Sequence, residues 1–70
     1  MKSINTRTAL ASNLKRLRAE MSQSEIAERS GQRRALISDI ESGKANPTLA
    51  TLSEIAKALK VSVSELLKHD

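Results

Sequence analysis

The 70-residue sequence contains no cysteine, and His69 is its one histidine. Disulfides and thiolate ligands are therefore excluded, and a lone histidine beside the chain end offers no ligand set for zinc. The absence of cysteine fits a reducing compartment, so we expect a cytoplasmic protein that needs no metal and no cofactor.

Long apolar runs are absent as well. No segment approaches the roughly 18 apolar residues that cross a membrane, and the N-terminus has charges without an apolar signal segment. The length predicts one small domain, and a domain of this size buries only about 60% of the surface of its unfolded chain. Its stability therefore depends on well-packed helices or on a partner.

The sequence also lacks Phe, Trp and Tyr. Proteins that bind single-stranded nucleic acids usually stack bases on aromatic rings, so this absence argues against that class. The net charge of +4 is unevenly placed. Eight basic and three acidic residues precede Leu36, whereas four basic and five acidic residues follow it. The basic half predicts contact with an anion, for which double-stranded DNA is the first candidate and a membrane surface the second.

Apolar residues recur at helical spacing, which predicts an all-α fold. Residues 1–7 are predicted as a flexible tail and residues 8–70 as a single domain. Helix one is expected over about residues 8–20, with Thr6 or Thr8 as its cap. The other helices are expected at residues 24–30, 34–42 and 49–59, and from Ser62 to about residue 68.

Ser22 and Ser62 are each followed three residues later by a glutamate, which predicts a capping box at each of these helix starts. Thr48 is the predicted cap of helix four, where Pro47 ends the preceding loop. The buried stripe of helix four is predicted to contain Leu49, Leu52, Ile55, Ala56 and Leu59.

Gly31 separates the second and third predicted helices, and Gly43 follows the third. A chain that leaves a helix commonly needs a positive φ, which glycine adopts freely. Ala27 supplies the small side chain that a steep crossing of two helices requires. Two short helices joined by a three- to four-residue turn with a glycine form the helix-turn-helix pattern.

Three ordered motifs make this pattern specific: S-Q-x-x-I-A-x-x-x-G from Ser22, I-x-x-I-E-x-G from Ile37, and N-P-x-L from Asn46. Together they resemble the Cro-type, lambda-repressor-like family, also called the xenobiotic response element family, over roughly residues 14–67. The resemblance implies a compact five-helix lambda-repressor-like bundle. It further implies a sequence-specific regulator, most simply a repressor, that binds a palindromic double-stranded operator as a homodimer in a bacterial or phage setting.

The resemblance also implies a structural ion pair between an arginine of helix one and Glu41. Two alignments compete, because a shortened turn gives the role to Arg18 and an ungapped one gives it to Arg16. We favour Arg18, since that choice puts Leu14 on an apolar position. Lys60 stands where the family usually has glycine, which predicts either strain in that turn or a turn of another shape.

In this motif class the N-terminal end of the second helix of the motif reaches base edges in the major groove. Arg34 is the first candidate for a guanine contact, whereas Arg33 is equally suited to a base or to a phosphate. Asp39 can accept from a cytosine amine, repel wrong sites or pair with an arginine. The full predicted DNA interface is Gln23, Gln32, Arg33, Arg34, Ala35, Ser38, Asp39, Ser42, Lys44 and Asn46.

The apolar C-terminal end leaves two interpretations open. Val61, Val63, Leu66 and Leu67 either seal the core or form the interface of a homodimer. An antitoxin-like or adaptor module that holds another protein is the alternative function on this fold. An enzyme is the weakest interpretation, because the sequence has no nucleophile–base constellation and no phosphate loop. No membrane or small-molecule partner is expected.

Overall fold

The structure is a computed structural model that describes residues 6–68. In that range it has five helices and no strand: α1 (Thr6–Arg18), α2 (Gln23–Ser30), α3 (Arg34–Glu41), α4 (Leu49–Leu59) and α5 (Val63–Leu67). The predicted all-α, five-helix fold is confirmed. The predictions made for His69 and for the first five residues of the tail lie outside the described residues. Across positions 6–68, no helix combines the length and the apolar character that crossing a bilayer takes.

The bounds of α1 differ from the prediction at both ends. The helix begins at Thr6, so residues 6 and 7 of the predicted tail, residues 1–7, are helical, and Thr6 and Thr8 lie inside the helix rather than capping it. Their side chains are exposed, as is that of Arg7, so no apolar spacing marks this first turn. The helix ends at Arg18 because Ala19 has a φ of +49°, which leaves the helical region.

Three helices begin at the predicted caps. The side-chain oxygens of Ser22, Thr48 and Ser62 accept hydrogen bonds from the backbone N–H three residues on, at 3.0, 3.1 and 3.2 Å. Each satisfies one of the amides that the start of a helix leaves unpaired. The carboxylate of Glu25 does not complete a capping box, because it pairs with Arg29 one turn further along α2.

All five helices contribute to one apolar core. Leu49 is not part of it: 68% of this residue is exposed. At 3.6 residues per turn, Leu49 lies roughly 65° from the centre of the face that Leu52, Ile55 and Ala56 bury, so helical spacing alone placed it wrongly in the stripe. The core residues are Leu10, Leu14, Ile26, Ala27, Ile37, Ile40, Leu52, Ile55, Ala56 and Leu66.

Asn13 fixes α5 to α1. Its side-chain amide is buried and donates to the carbonyls of Leu66 at 2.8 Å and Lys68 at 2.9 Å. Arg16 in turn donates to the Asn13 side-chain oxygen at 3.1 Å. A helix of five residues is unstable alone, so these bonds to its C-terminal carbonyls and the buried Leu66 hold it in place.

Lys60 ends α4 in the left-handed conformation, with a φ of +61°. This is the strain that the missing glycine predicts, since a side chain in this region costs about 1–2 kcal/mol. The turn is nonetheless formed, with the N–H groups of Lys60 and Val61 bonded to the carbonyls of Lys57 and Ala56.

We therefore expect Lys60→Gly to stabilise the domain by about 1 kcal/mol, which raises the melting temperature by about 4–8 °C. Lys57→Gly is the matched control, because it removes the same charge inside α4 and lowers stability by about 1 kcal/mol. Thermal unfolding followed by circular dichroism measures both. Equal destabilisation by the two glycines would contradict the left-handed turn.

Candidate nucleic-acid interface

The turn between α2 and α3 consists of residues 31–33 and is tightly bonded. Gly31 has a φ of +72°, and its N–H lies near the carbonyls of Ala27 and Glu28. Gln32 donates its N–H to the same Ala27 carbonyl at 2.8 Å, and the buried Ser30 hydroxyl donates to Ile26 at 2.7 Å. These bonds satisfy the last carbonyls of α2 and set the direction in which α3 leaves.

The crossing of α2 and α3 buries one face of each helix. Ile26 and Ala27 of α2 and Ile37 and Ile40 of α3 are each at most 3% exposed. The opposite face of α3 is solvent-accessible, so the core decides which side chains α3 presents. That face consists of the exposed Arg34, Ala35 and Asp39, the half-buried Ser38, and the exposed Ser42 just after the helix.

Arg33 occupies the N-cap of α3 without capping it. Its backbone is extended, with φ −84° and ψ 146°, and no side chain bonds the first amides of the helix. An arginine cannot accept a hydrogen bond. Ser, Thr or Asp at this position would stabilise the helix by about 1 kcal/mol. The sequence therefore places two exposed cations, Arg33 and Arg34, at a helix start where stability favours another residue.

The loop after α3 is held to the helix mainly by the carbonyl of Asp39. The Asp39 carbonyl accepts from the Ser42 hydroxyl at 3.1 Å, the Lys44 N–H at 2.8 Å and the Ala45 N–H at 3.2 Å. Gly43 takes a φ of +78° within this turn. These bonds hold the backbone of the loop, so that the exposed residues Lys44 and Asn46 lie close to the C-terminal end of α3.

Glu41 joins three helices. Its side chain is 4% exposed and forms a two-bond ion pair with Arg18 of α1, in which the Nη2–Oε1 distance is 2.9 Å. The Gln23 amide of α2 donates to the same Oε1 at 3.0 Å. Arg18 is 21% exposed at its side chain and also donates to the Met21 carbonyl at 2.6 Å. Arg18 is therefore the arginine that pairs with Glu41, whereas Arg16 donates to the side-chain oxygen of Asn13.

These contacts set the pKa of Glu41. Burial raises the pKa, but the hydrogen bonds from Arg18 and Gln23 and the positive charges of Arg18 and Lys15 outweigh it, so the pKa lies below its ordinary value of 4.5. The hydrogen bond to Glu41 also raises the pKa of Arg18. Both groups are therefore charged at neutral pH, as a stable pair requires.

Three predicted site residues have contacts inside the domain itself. Gln23 has its side-chain amide on Glu41, and half-buried Gln32 donates to the Ser30 carbonyl at 3.1 Å, so both support the motif from within. Leu66 is fully buried in the core, so of the two interpretations left open the core one holds for this residue and a place in a dimer interface does not. Sequence reasoning missed Asn13, since a buried polar residue among apolar ones has no periodic signal.

Comparison with known proteins decides the family. The model of the HTH_3 helix-turn-helix family matches residues 14–66. The chain belongs to the HTH_3 family. This is the Cro-type, lambda-repressor-like class that the motifs resemble, so that prediction is confirmed.

Similar proteins include chains that are named as a transcriptional regulator or as control proteins. An uncharacterized HTH-type transcriptional regulator of Sinorhizobium fredii, y4dJ, is 42% identical over 66 residues, which are 91% of this chain and 86% of its own. Control protein C.SmaI of Serratia marcescens is 43% identical over 60 residues, covering 83% and 71% of the two chains. The restriction-modification controller protein C.AhdI of Aeromonas hydrophila has a TM-score of 0.82 at 29% identity, over 86% of this chain and 94% of its own.

The ion pair yields a stability prediction. Arg18→Ala leaves the buried Glu41 carboxylate without its cation, and we expect a loss of about 3 kcal/mol. Arg29→Ala breaks the exposed pair with Glu25, whose side chains are 55% and 47% exposed, and costs at most about 0.5 kcal/mol. Urea unfolding measures both variants. A loss for Arg18→Ala no larger than that for Arg29→Ala would refute the structural role of the pair.

The lowered pKa of Glu41 predicts a pH dependence. A carboxylate with a lowered folded-state pKa contributes its full stability above about pH 4.5, and this contribution is lost as the pH falls through the folded-state pKa. The free energy of unfolding of the native chain should therefore fall more steeply between about pH 4.5 and pH 3 than that of Glu41→Gln, which has no group to titrate at this position. Urea unfolding at each pH gives these free energies. If they fell in parallel for the two proteins over that range, the prediction would be wrong.

Proposed function

We propose that this HTH_3 chain is a sequence-specific transcriptional regulator that inserts α3 into the major groove of double-stranded DNA and represses transcription. The observation that carries the proposal is the exposed cationic start of α3. Arg33 and Arg34 form no described ion pair there, and Arg33 occupies a cap position at a cost in stability. Residues that break a local rule without a structural gain mark functional sites.

Shape supports the same proposal. The major groove is about 12 Å wide and admits an α-helix. Ala35 and Ser38 on the exposed face of α3, and Ser42 just after the helix, are small, so between Arg34 and Asp39 no bulky group holds the helix away from the base edges. A surface built to hold another protein would instead have an apolar centre, which argues against the antitoxin-like or adaptor alternative.

Each exposed group has a role in this arrangement. Arg34 reaches the groove and donates two hydrogen bonds to a guanine, while Arg33 binds a base or the phosphate beside it. Ala35 meets a thymine methyl, and Ser38 approaches a base edge. Lys44 and Asn46 bind phosphates at the far side of the groove, where the bonds to the Asp39 carbonyl hold their loop.

The start of α2 binds the other strand. Gln23 lies at the first position of this helix, where backbone amides and the helix dipole favour a phosphate. Its side chain is engaged by Glu41, so we assign the phosphate contact to the backbone at this end and to the second N–H of the Gln23 amide. The pair of Arg18 and Glu41 then acts indirectly, by holding this contact at a fixed distance from α3.

A homodimer on a palindromic operator completes the proposal, because one α3 contacts few base pairs and two-fold dimers of this motif class bind half-sites about one helical turn apart. We assign the interface to the turn between α4 and α5 and to α5. Val61, Val63 and Leu67 pack against the core there and remain partly exposed, whereas the buried Leu66 has no part in it.

The controller relatives support regulation through the level of the protein itself. The relatives C.SmaI and C.AhdI are named as a control protein and a controller protein. By the same analogy we place this regulator with its DNA in the bacterial cytoplasm.

DNA selection tests the function. Duplexes selected from a random pool at stated salt should share one palindromic sequence, and their affinity should fall steeply with salt because phosphate contacts release counterions. Arg34→Ala should relax the preference at one base position of each half-site, with a cost of about 1–3 kcal/mol for the preferred base. Lys44→Ala should weaken all sequences alike. Failure of the native chain to enrich any duplex would refute the function.

Sedimentation tests the dimer. Leu67→Glu places a charge on the proposed interface and should shift the dimer toward monomer at the same concentration. Its affinity should fall more for the full palindrome than for a single half-site. Leu49→Glu is the control, since it introduces the same charge at an exposed leucine outside the interface. A native chain that stays monomeric with and without the palindrome would overturn this part.

A further inference from the structure

Asp39 is the one acidic side chain on the exposed face of α3, because Glu41 is buried. Within residues 6–68 its carboxylate belongs to neither ion pair, and no side-chain hydrogen bond uses it. The group therefore has no structural role on a face that, by the proposed function, enters a polyanion. A carboxylate at such a place costs affinity for every duplex unless a base supplies a donor.

The backbone at Asp39 is rigidly placed. Its carbonyl accepts from the Ser42 hydroxyl and from the N–H groups of Lys44 and Ala45, at 2.8 to 3.2 Å. The neighbouring groups on the same face are small, which allows even the short aspartate side chain to come close to the base edges. Its position is thus fixed before binding, which lowers the entropy cost of a directional contact.

The chemistry of the major groove then selects the base. A carboxylate only accepts hydrogen bonds. Guanine and thymine present acceptors on this edge and so repel it, and adenine sets its N7 acceptor beside its N6 amine. Cytosine presents the N4 amine with no acceptor of its own next to it.

We propose that Asp39 is a specificity residue that accepts a hydrogen bond from the N4 amine of a cytosine in the operator, an inference that rests on the proposed function. Arg34 and Asp39 are five residues apart, which is about 7.5 Å along a helix and about 140° around it, so they stand on the two sides of the exposed face of α3.

The test compares Asp39→Asn with Glu54→Gln. Both changes remove one negative charge, but Glu54 is an exposed residue of α4, away from the DNA face. Each protein is taken through duplex selection, and its affinity is then measured for the selected site and for versions with the cytosine pair replaced. Melting temperatures confirm that the variants are folded, and Asp39→Ser repeats the measurement with a smaller side chain.

The native chain and Glu54→Gln should lose about tenfold or more in affinity when the cytosine is replaced. Asp39→Ser, whose hydroxyl is too short to replace the carboxylate, should bind the original and the replaced sites within about twofold of each other. Asp39→Asn keeps one acceptor and gains a donor, so it should no longer exclude adenine at that position. Two results would overturn the inference: an unchanged cytosine preference in Asp39→Ser, or a uniform gain in affinity for all duplexes, which would mean that Asp39 only repels phosphate. A native chain with no preferred duplex would instead refute the proposed function itself.

Discussion

Glu41 is nearly out of solvent, and a carboxylate there is stable only while donors surround it. Arg18 provides these donors from α1 and Gln23 provides one from α2. Because Glu41 belongs to the last turn of α3, the requirement to satisfy one charge fixes the relative positions of three helices. A two-bond ion pair tolerates little displacement of its partners, so this contact gives α3 its definite orientation.

Several residues of this domain break local conformational rules, and the core tolerates the cost. Lys60 and Ala19 have positive φ values, and Arg33 leaves the start of α3 uncapped. The positive φ of Ala19 ends α1 directly after Arg18, whose side chain bonds Glu41 and the Met21 carbonyl. At Arg33 no contact among the described residues offsets the missing cap, so the proposal of a DNA contact depends most on this position.

Much of the fold was predictable because helices leave periodic signals. Ser22, Thr48 and Ser62 marked three helix starts correctly, since a capping oxygen must stand at a fixed distance from the amide that it accepts from. The start of α1 was missed because its first turn is exposed and has no apolar spacing. Leu49 was misplaced because it stands three residues before Leu52, a spacing that fits an apolar stripe, yet lies roughly 65° from the centre of the buried face.

The sequence by itself determined the helix-turn-helix, its glycine turn and the cationic start of its second helix, because each of these depends on residues within about ten positions of one another. The tertiary structure decided which of Arg16 and Arg18 pairs with Glu41, that Asn13 holds α5, and that Leu66 is core rather than interface. The hydrogen bonds among these contacts join residues between 23 and 55 positions apart. No local spacing encodes them, since they form only where the packed core brings distant helices together.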